Sequence, residues 1–271
     1  MVDSVVLVGC GNMGFAMLKG WLDAGILKPG QVHVVEPTDA LRDRAATLGV
    51  NAVAGAASLA AGLQPRVILV AVKPQVMGDV LPAYKRFAEH ATFVSVAAGI
   101  TVNFFEKHLG DKTAIIRTIP NTPAAIGKGM IVTFRNPHVG DDDAAFVDRL
   151  LKTSGAVASV DDESLIDAVT AVSGSGPAYV FHFIEGLTEA GVAAGLTREI
   201  AGLLAMQTVY GAGALAAASA DTPTTLREQV TSPNGTTAAA LKVLMGEDRL
   251  KNLLTEAVHA AHQRAIELGK V

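Results

Sequence analysis

The chain has 271 residues and a formal net charge of −4; 50% of its residues are hydrophobic, 18% are charged and only 5% are aromatic. It is long enough for two ordinary domains, its core must be built from Ala, Val, Leu and Ile, and its charge balance gives no electrostatic reason to expect nucleic acid or an anionic membrane as a partner. A single cysteine, Cys10, excludes an intramolecular disulfide and argues against a thiolate metal site.

The N-terminal run MVDSVVLVGCG lacks a basic leader and a small-residue cleavage site and passes straight into a strand, so the expectation is a soluble, cytoplasmic protein. From there, short β-branched runs alternate with helical spacing. SVVLVG, QVHVVE, RVILVAV, TFVSVAA, TAIIRTI and MIVTFRN read as strands, and MGFAMLKGWLDAGI and PQVMGDVLPAYKRFAEH as helices between them. Such alternation predicts a parallel, doubly wound sheet whose strands are buried on both faces. After VASVDDESLID the strands cease. Helical patterns follow, with starts at Ser175-Gly176-Pro177, Thr197, Thr222-Pro223 and Ser232-Pro233, because a hydroxyl residue caps a helix and Pro suits its first turn. The expected organisation is α/β, a nucleotide-binding domain over 1–160 followed by an all-α domain over 161–271. The apolar stretch LLAMQTVYGAGALAAA is broken by Gln207 and Thr208 and is rich in Ala and Gly, which suits a closely packed helix better than a membrane span. Low charge and many small apolar residues suggest surface buried between subunits.

Gly9, Gly11 and Gly14 have G-x-G-x-x-G spacing after an apolar strand and at the head of an amphipathic helix. Gly9 permits a tight turn, Gly11 lets a pyrophosphate approach the backbone, and Gly14 allows the helix to pack on the strand. The helix start then offers N–H groups to phosphates, so the loop predicts dinucleotide binding. The second strand ends at Glu36, 22 residues beyond Gly14. A carboxylate there accepts from ribose hydroxyls and favours NAD, while the neighbouring Arg42 and Arg44 could bind a 2′-phosphate, which leaves the cofactor's form open. Two other strand ends, Lys73-Pro74 and Ala97-Ala98-Gly99, leave room for a flat ring, and Asn121 and Thr122 between two prolines form either a rigid turn or a ligand-lining shelf. No serine-hydrolase elbow, zinc-protease motif or P-loop is present. Glu256, His259 and His262 share a helical face but lack a further metal partner. His182 reads as a hydrogen-bonded core residue rather than a base. Chemistry must therefore come from a cofactor acting on a substrate that needs little acid–base help, such as a protonated imine.

The motifs GCGNMG (9–14), AVKPQ (71–75), VAAGIT (96–101), IPNTPA (119–124), VSGSGPAYVF (172–181) and LREQVTSPNGTT (226–237) run in one order over essentially the whole chain. In this the chain resembles pyrroline-5-carboxylate reductase. The resemblance implies a Rossmann-type domain and an all-α dimerisation domain, assembled as a homodimer or a ring of dimers. It implies NADPH- or NADH-dependent reduction of 1-pyrroline-5-carboxylate to proline, the final step of proline biosynthesis. It also implies a cofactor site at Gly9, Gly11, Asn12, Met13, Gly14, Glu36, Ala71, Val72, Lys73, Pro74, Ala97, Ala98, Gly99 and Asn121. On the substrate side it implies that Ser232, Gly235, Thr236 and Thr237 hold the carboxylate, that Thr237 hydrogen-bonds the ring nitrogen, and that Ser173 and Ser175 shape the opposite wall. The expected geometry has Ser232 capping a helix, so that the amides of Gly235, Thr236 and Thr237 point outward. Two departures stand out: Asn234 replaces a glycine usual in relatives, and Glu36 stands where many carry a small hydroxyl residue. Another reductase on the same plan, a β-hydroxyacid dehydrogenase, needs a Lys that AYVFHFIEGLTEAGVAA lacks. A non-catalytic nucleotide-binding regulator is a further alternative; it need not keep a carboxylate-binding helix start at 232–237, and turnover with the imine separates the two.

Overall fold

The computed structural model describes residues 3–269. Its strands are β1 (Val5–Val8), β2 (Val32–Val35), β3 (Asn51–Val53), β4 (Val67–Val70), β5 (Thr92–Ser95), β6 (Ile115–Pro120), β7 (Gly129–Arg135) and β8 (Gly155–Ser159). They form one sheet in the order β3-β2-β1-β4-β5-β6-β7-β8. Val5–Val8 pairs in parallel with Val32–Val35 on one side and Val67–Val70 on the other, so the strand order reverses at β1. That reversal opens a crevice beyond the carboxyl ends of the strands, the place where open α/β sheets hold ligands.

Side chains alternate across the sheet, as strand geometry requires. Val5 and Leu7 of β1 join one core with Met17, Leu18, Trp21 and Leu150, while Val6 and Val8 join the other with Ile68, Tyr84, Phe87 and Phe105. The helices covering the faces include α1 (Asn12–Asp23), α2 (Asp39–Ala46), α3 (Met77–Val80), α4 (Val102–Leu109) and α5 (Asp141–Lys152). Trp21, fully buried on α1, donates its indole N–H to the Leu150 carbonyl of α5 at 3.1 Å and ties two helices of one layer together.

Two local readings are corrected. The segment predicted as one helix over 74–90 is a series of short pieces, 3₁₀ over Pro74–Val76, α over Met77–Val80 and 3₁₀ over Leu81–Phe87, because Pro82 has no N–H to continue an α ladder. The strand MIVTFRN is not parallel to the strand before it; β7 runs antiparallel to β6, though parallel to β8. The segment 121–128 between them is too short for the crossover that parallel pairing needs.

The remaining helices are α6 (Ile166–Val169), α7 (Gly176–Ala193), α8 (Arg198–Ala218), α9 (Pro223–Gln229), α10 (Thr236–Met245) and α11 (Arg249–Leu268). The chain divides into two compact units, Met1–Ser175 with Ala261–Val271, and Gly176–Ala260. The change of texture lies near Val160, but compactness divides the chain later, because β8 still pairs with β7 and Ile166 is buried with the first unit. In the second unit Thr197 caps α8 and Thr222 caps α9, each hydroxyl accepting from the amide three residues on. Helices α7 and α8 pack closely: a Cβ on Gly191 would lie 3.0 Å from the Ala201 methyl. Even so, the second unit leaves large apolar side chains uncovered, among them Phe181 at 57%, Leu203 at 65% and Tyr210 at 69% exposure. Such a surface needs a partner face. His182, expected in the core, is exposed and pairs with Glu185 at 3.0 Å. Among the described residues α8 is the one helix long and apolar enough to cross a membrane by length and composition.

Candidate functional site

The candidate site of the first unit is the turn from β1 into α1. Gly9 has φ +86°, and a Cβ there would lie 2.7 Å from the Ala71 carbonyl oxygen. A Cβ on Gly14 would lie 2.4 Å from the Gly9 carbonyl oxygen. The fold itself therefore demands both glycines. Gly11 differs: its φ is an ordinary −63°, and a Cβ there would meet nothing within 4 Å. No neighbour in the chain fills the space beside it, so the backbone here is open to close approach, as the spacing expects for a dinucleotide pyrophosphate. Gly11 is the N-cap of α1, with no side chain capping the helix and no acidic residue in its first turn. The amides of Asn12, Met13 and Gly14 thus have no partner within the helix and lie at its positive end.

Glu36 closes the end of β2 and is 5% exposed. Its Oε2 accepts from the Cys10 amide at 2.8 Å and its Oε1 from the Thr38 amide at 2.9 Å. Two backbone bonds leave a carboxylate with capacity for ribose hydroxyls. Neither nearby arginine is idle. Arg42 Nη1 donates to the carbonyls of Glu36 and Pro37, and its Nη2 to Asp39 at 2.6 Å. Arg44 Nη2 donates to the carbonyls of Cys10 at 2.8 Å and Gly11 at 3.3 Å. Burial pushes the Cys10 thiol up to about 11, and the nearby Arg44 charge only partly offsets this, so the thiol is neutral at ordinary pH.

The other strand ends are set by backbone bonds. The Ala71 amide donates to the Val8 carbonyl at 2.7 Å, which holds the start of Ala71-Val72-Lys73-Pro74 beside the glycine loop. Lys73 precedes the 3₁₀ turn begun by Pro74, and its side chain is exposed. After β5, Gly99 has φ +77°, and a Cβ there would lie 3.3 Å from the Leu268 carbonyl oxygen. The Ala97-Ala98-Gly99 turn therefore sits against the last turn of α11, a neighbour that sequence spacing does not reveal. Asn121 is held as a strut. Its Nδ2 donates to the Ser173 carbonyl at 3.1 Å and to Ser173 Oγ at 3.4 Å, while its Oδ1 accepts from the Met130 amide at 2.9 Å. It fastens the 121–130 turn to the SGSG segment, where Thr170–Gly174 forms a π-helical turn, a feature frequent at functional sites.

The second unit holds the 232–237 segment. Ser232 does not cap a helix. Residues 232–235 form a turn in which the Gly235 amide donates to the Ser232 carbonyl at 3.1 Å, and Asn234 takes φ +60°. Pro233 in the second position and a left-handed third residue are what such a turn favours. Helix α10 begins at Thr236 with Gly235 as N-cap, and Ala239 makes its first internal bond to the Gly235 carbonyl at 3.2 Å. The outward amides are consequently those of Thr236, Thr237 and Ala238, one residue later than expected. Gly235 lies close under Ser232: a Cβ there would meet Ser232 Oγ at 2.4 Å and the Ser232 carbonyl oxygen at 3.2 Å, so a larger residue requires the Ser232 hydroxyl to turn away. Sequence reasoning missed Ala238; the signal was the turn chemistry of Ser-Pro-Asn-Gly, which moves the helix start downstream. Among the described residues no three His, Cys, Asp or Glu side chains gather where a metal ion would be held.

Comparison with known proteins covers both units. A family model described as pyrroline-5-carboxylate reductase dimerisation matches residues 163–268, and one described as NADP oxidoreductase, coenzyme F420-dependent, matches residues 4–99. The chain is 40% identical over 266 residues to a pyrroline-5-carboxylate reductase of Synechocystis sp., a match covering 97% of each chain. Among solved structures, a pyrroline-5-carboxylate reductase from Coxiella burnetii superposes with a TM-score of 0.94 at 34% identity, over 100% of both chains. A pyrroline carboxylate reductase of Plasmodium falciparum, solved with NADP bound, gives a TM-score of 0.82 at 29% identity, over 99% of this chain and 98% of that one.

Proposed function

We propose a reaction and a division of labour for this chain, which belongs to the pyrroline-5-carboxylate reductase family. It reduces 1-pyrroline-5-carboxylate to L-proline, the last step of proline biosynthesis, as a cytoplasmic oxidoreductase. When bound, the reduced nicotinamide dinucleotide supplies a hydride to the carbon of the C=N bond, C2 of the pyrroline ring, which becomes C5 of proline. The Gly9–Gly14 turn carries the dinucleotide reading: Gly9 and Gly14 are demanded by backbone packing, and Gly11, open on its free side at the start of α1, leaves the backbone accessible to a pyrophosphate.

The chain's own residues bind and orient. Amides of Asn12, Met13 and Gly14 receive the pyrophosphate, Glu36 receives the adenosine ribose, and the turns at Ala71–Pro74 and Ala97–Gly99 border the nicotinamide end. The amides of Thr236, Thr237 and Ala238 receive the substrate carboxylate at the positive end of α10. Thr237 Oγ1 hydrogen-bonds the ring nitrogen and holds the imine in the orientation that accepts hydride at carbon. The substrate nitrogen, protonated in the imine, becomes the amine of proline without a strong base. Orientation and fixed donors supply most of the rate in such an arrangement. Ser173, which Asn121 holds in place, and Ser175 are further substrate-contacting residues in this reading.

Cofactor choice follows from the end of β2. A buried carboxylate repels a 2′-phosphate, and both nearby arginines are engaged with carbonyls or Asp39. NADH therefore serves at least as well as NADPH. The apolar surface of α7, α8 and α10 is the homodimer face, and a ring of such dimers is the larger assembly. Purified protein given 1-pyrroline-5-carboxylate with NADH and with NADPH, in separate assays at 340 nm, tests both readings. Rapid oxidation of NADH is the expected outcome; oxidation of neither by folded protein overturns the reaction, and a strong preference for NADPH overturns the role of Glu36.

A further inference from the structure

Glycine gives the 9–14 loop its close approach to a ligand and also deprives it of stiffness. Something outside the loop must fix its peptide planes, and the structure shows what does. The Cys10 residue is gripped at both ends: its N–H donates to Glu36 Oε2 at 2.8 Å, and its C=O accepts from Arg44 Nη2 at 2.8 Å. The same Nη2 reaches the Gly11 carbonyl at 3.3 Å, which also accepts the first helical bond of α1, from the Phe15 amide at 2.9 Å.

The consequence comes from peptide geometry. A trans peptide unit is planar, with its C=O and N–H on opposite edges. Drawing the Cys10 and Gly11 carbonyls toward Arg44 turns the Gly11 and Asn12 N–H groups the other way. The loop's negative ends are thereby faced toward a cation and its positive ends away from it, before any ligand arrives. Arg44 is itself fixed, since its guanidinium carbon lies 4.1 Å from the centre of the Phe15 ring, on the helix whose start it organises. Loop, helix and Arg44 form one closed circuit of contacts, to which Glu36 is joined through the Cys10 amide.

We propose that Arg44 is a positioning residue for the dinucleotide, aiming the amides at the start of α1 by holding the Cys10 and Gly11 carbonyls, with Glu36 as its counterpart on the Cys10 amide. This rests on the dinucleotide reading and separates Arg44 from the role its charge first suggests, a direct contact with a 2′-phosphate. Pre-organisation of this kind lowers the cost of ordering on binding.

The test compares wild type with Arg44→Met, which keeps an unbranched apolar stem over Phe15 and removes the donors, and with Arg44→Lys, which keeps the charge and loses the fork. Calorimetric Kd values for NADH, NADPH, ADP and adenosine are measured on the intact protein, together with amide hydrogen exchange of residues 9–15 without ligand. The expected result for Arg44→Met is a roughly tenfold weaker Kd, the order for one charge-assisted bond, equal for NADH, NADPH and ADP and absent for adenosine. Exchange at Gly11 and Asn12 speeds up in parallel, and in steady state the loss sits in KM more than in kcat. Arg44→Lys falls between, and serves alone if Arg44→Met does not fold. A loss confined to NADPH overturns the proposal by making Arg44 a phosphate ligand, and unchanged exchange with unchanged Kd overturns it outright. Failure of the wild type to bind either dinucleotide overturns the reading beneath it, an outcome distinct from both.

Discussion

Helices α1 and α10 both begin without a side-chain cap, and their starts are built by opposite means. The start of α1 is fixed from a distance: Glu36 and Arg44 hold its loop, and Gly9 and Gly14 are packed against backbone. The start of α10 is fixed locally, by a four-residue turn with Asn234 in the left-handed region and Ser232 folded over Gly235. Both leave three amides without helical partners at a positive end. The difference teaches where each site is vulnerable. The first is broken by changes in strands and neighbouring helices, the second only by changes within its own turn.

The largest expected effect sharpens the contrast between glycines of one motif. Gly14→Ala drives a Cβ into the Gly9 carbonyl and should lower folding stability by about 3 kcal/mol, seen as a fall in the urea midpoint. Gly11→Ala, with nothing within 4 Å and φ −63°, should leave stability equal or raise it by about 0.5 kcal/mol while abolishing dinucleotide binding. Normal dinucleotide affinity in Gly11→Ala would remove the main support for that site.

At the α10 start, Thr237→Ala should cost about 2–3 kcal/mol of kcat/KM, the size of one lost catalytic donor, with the far-UV spectrum unchanged. Wild-type kinetics in that variant would take Thr237 out of the site. Glu36→Ser should shift the ratio of kcat/KM for NADH over NADPH toward NADPH by about tenfold or 1.4 kcal/mol. An unmoved ratio would leave Glu36 as a purely structural acceptor for Cys10 and Thr38.

Asn234→Ala should destabilise by about 1 kcal/mol because Ala lacks the short carboxamide whose local hydrogen bonding lets Asn tolerate φ +60°, whereas Asn234→Gly should differ by only a few tenths. Equal melting curves for all three would show that the turn does not need that conformation. The smallest effect is in pH. Burial holds the Cys10 thiol neutral with its pKa raised from 9.0 to about 11. The stability this gives is fully present below pH 9 and is lost as pH rises through the folded value near 11. Cys10→Ala should flatten stability against pH in that window, checked by denaturant titrations at pH 8 and 10.5.

The sequence by itself determined the class of fold, the glycine turn and the family, because these rest on local pattern: continuous apolar strands, glycine spacing at a strand–helix junction, and motifs in order. It also marked 232–237 as unusual. What it did not decide was geometry that depends on partners far along the chain. The antiparallel β7 follows from the length of the 121–128 connection, the Asn121 strut depends on Ser173, and Gly99 answers to Leu268. The register of α10 was set by a turn that captured the Gly235 amide, so the free donors moved on by one residue. Arg44 is the clearest case. Its charge was legible, yet only the tertiary structure decided that its Nη2 faces carbonyls of the glycine loop, because a side chain's role is fixed by the acceptors that folding brings within reach.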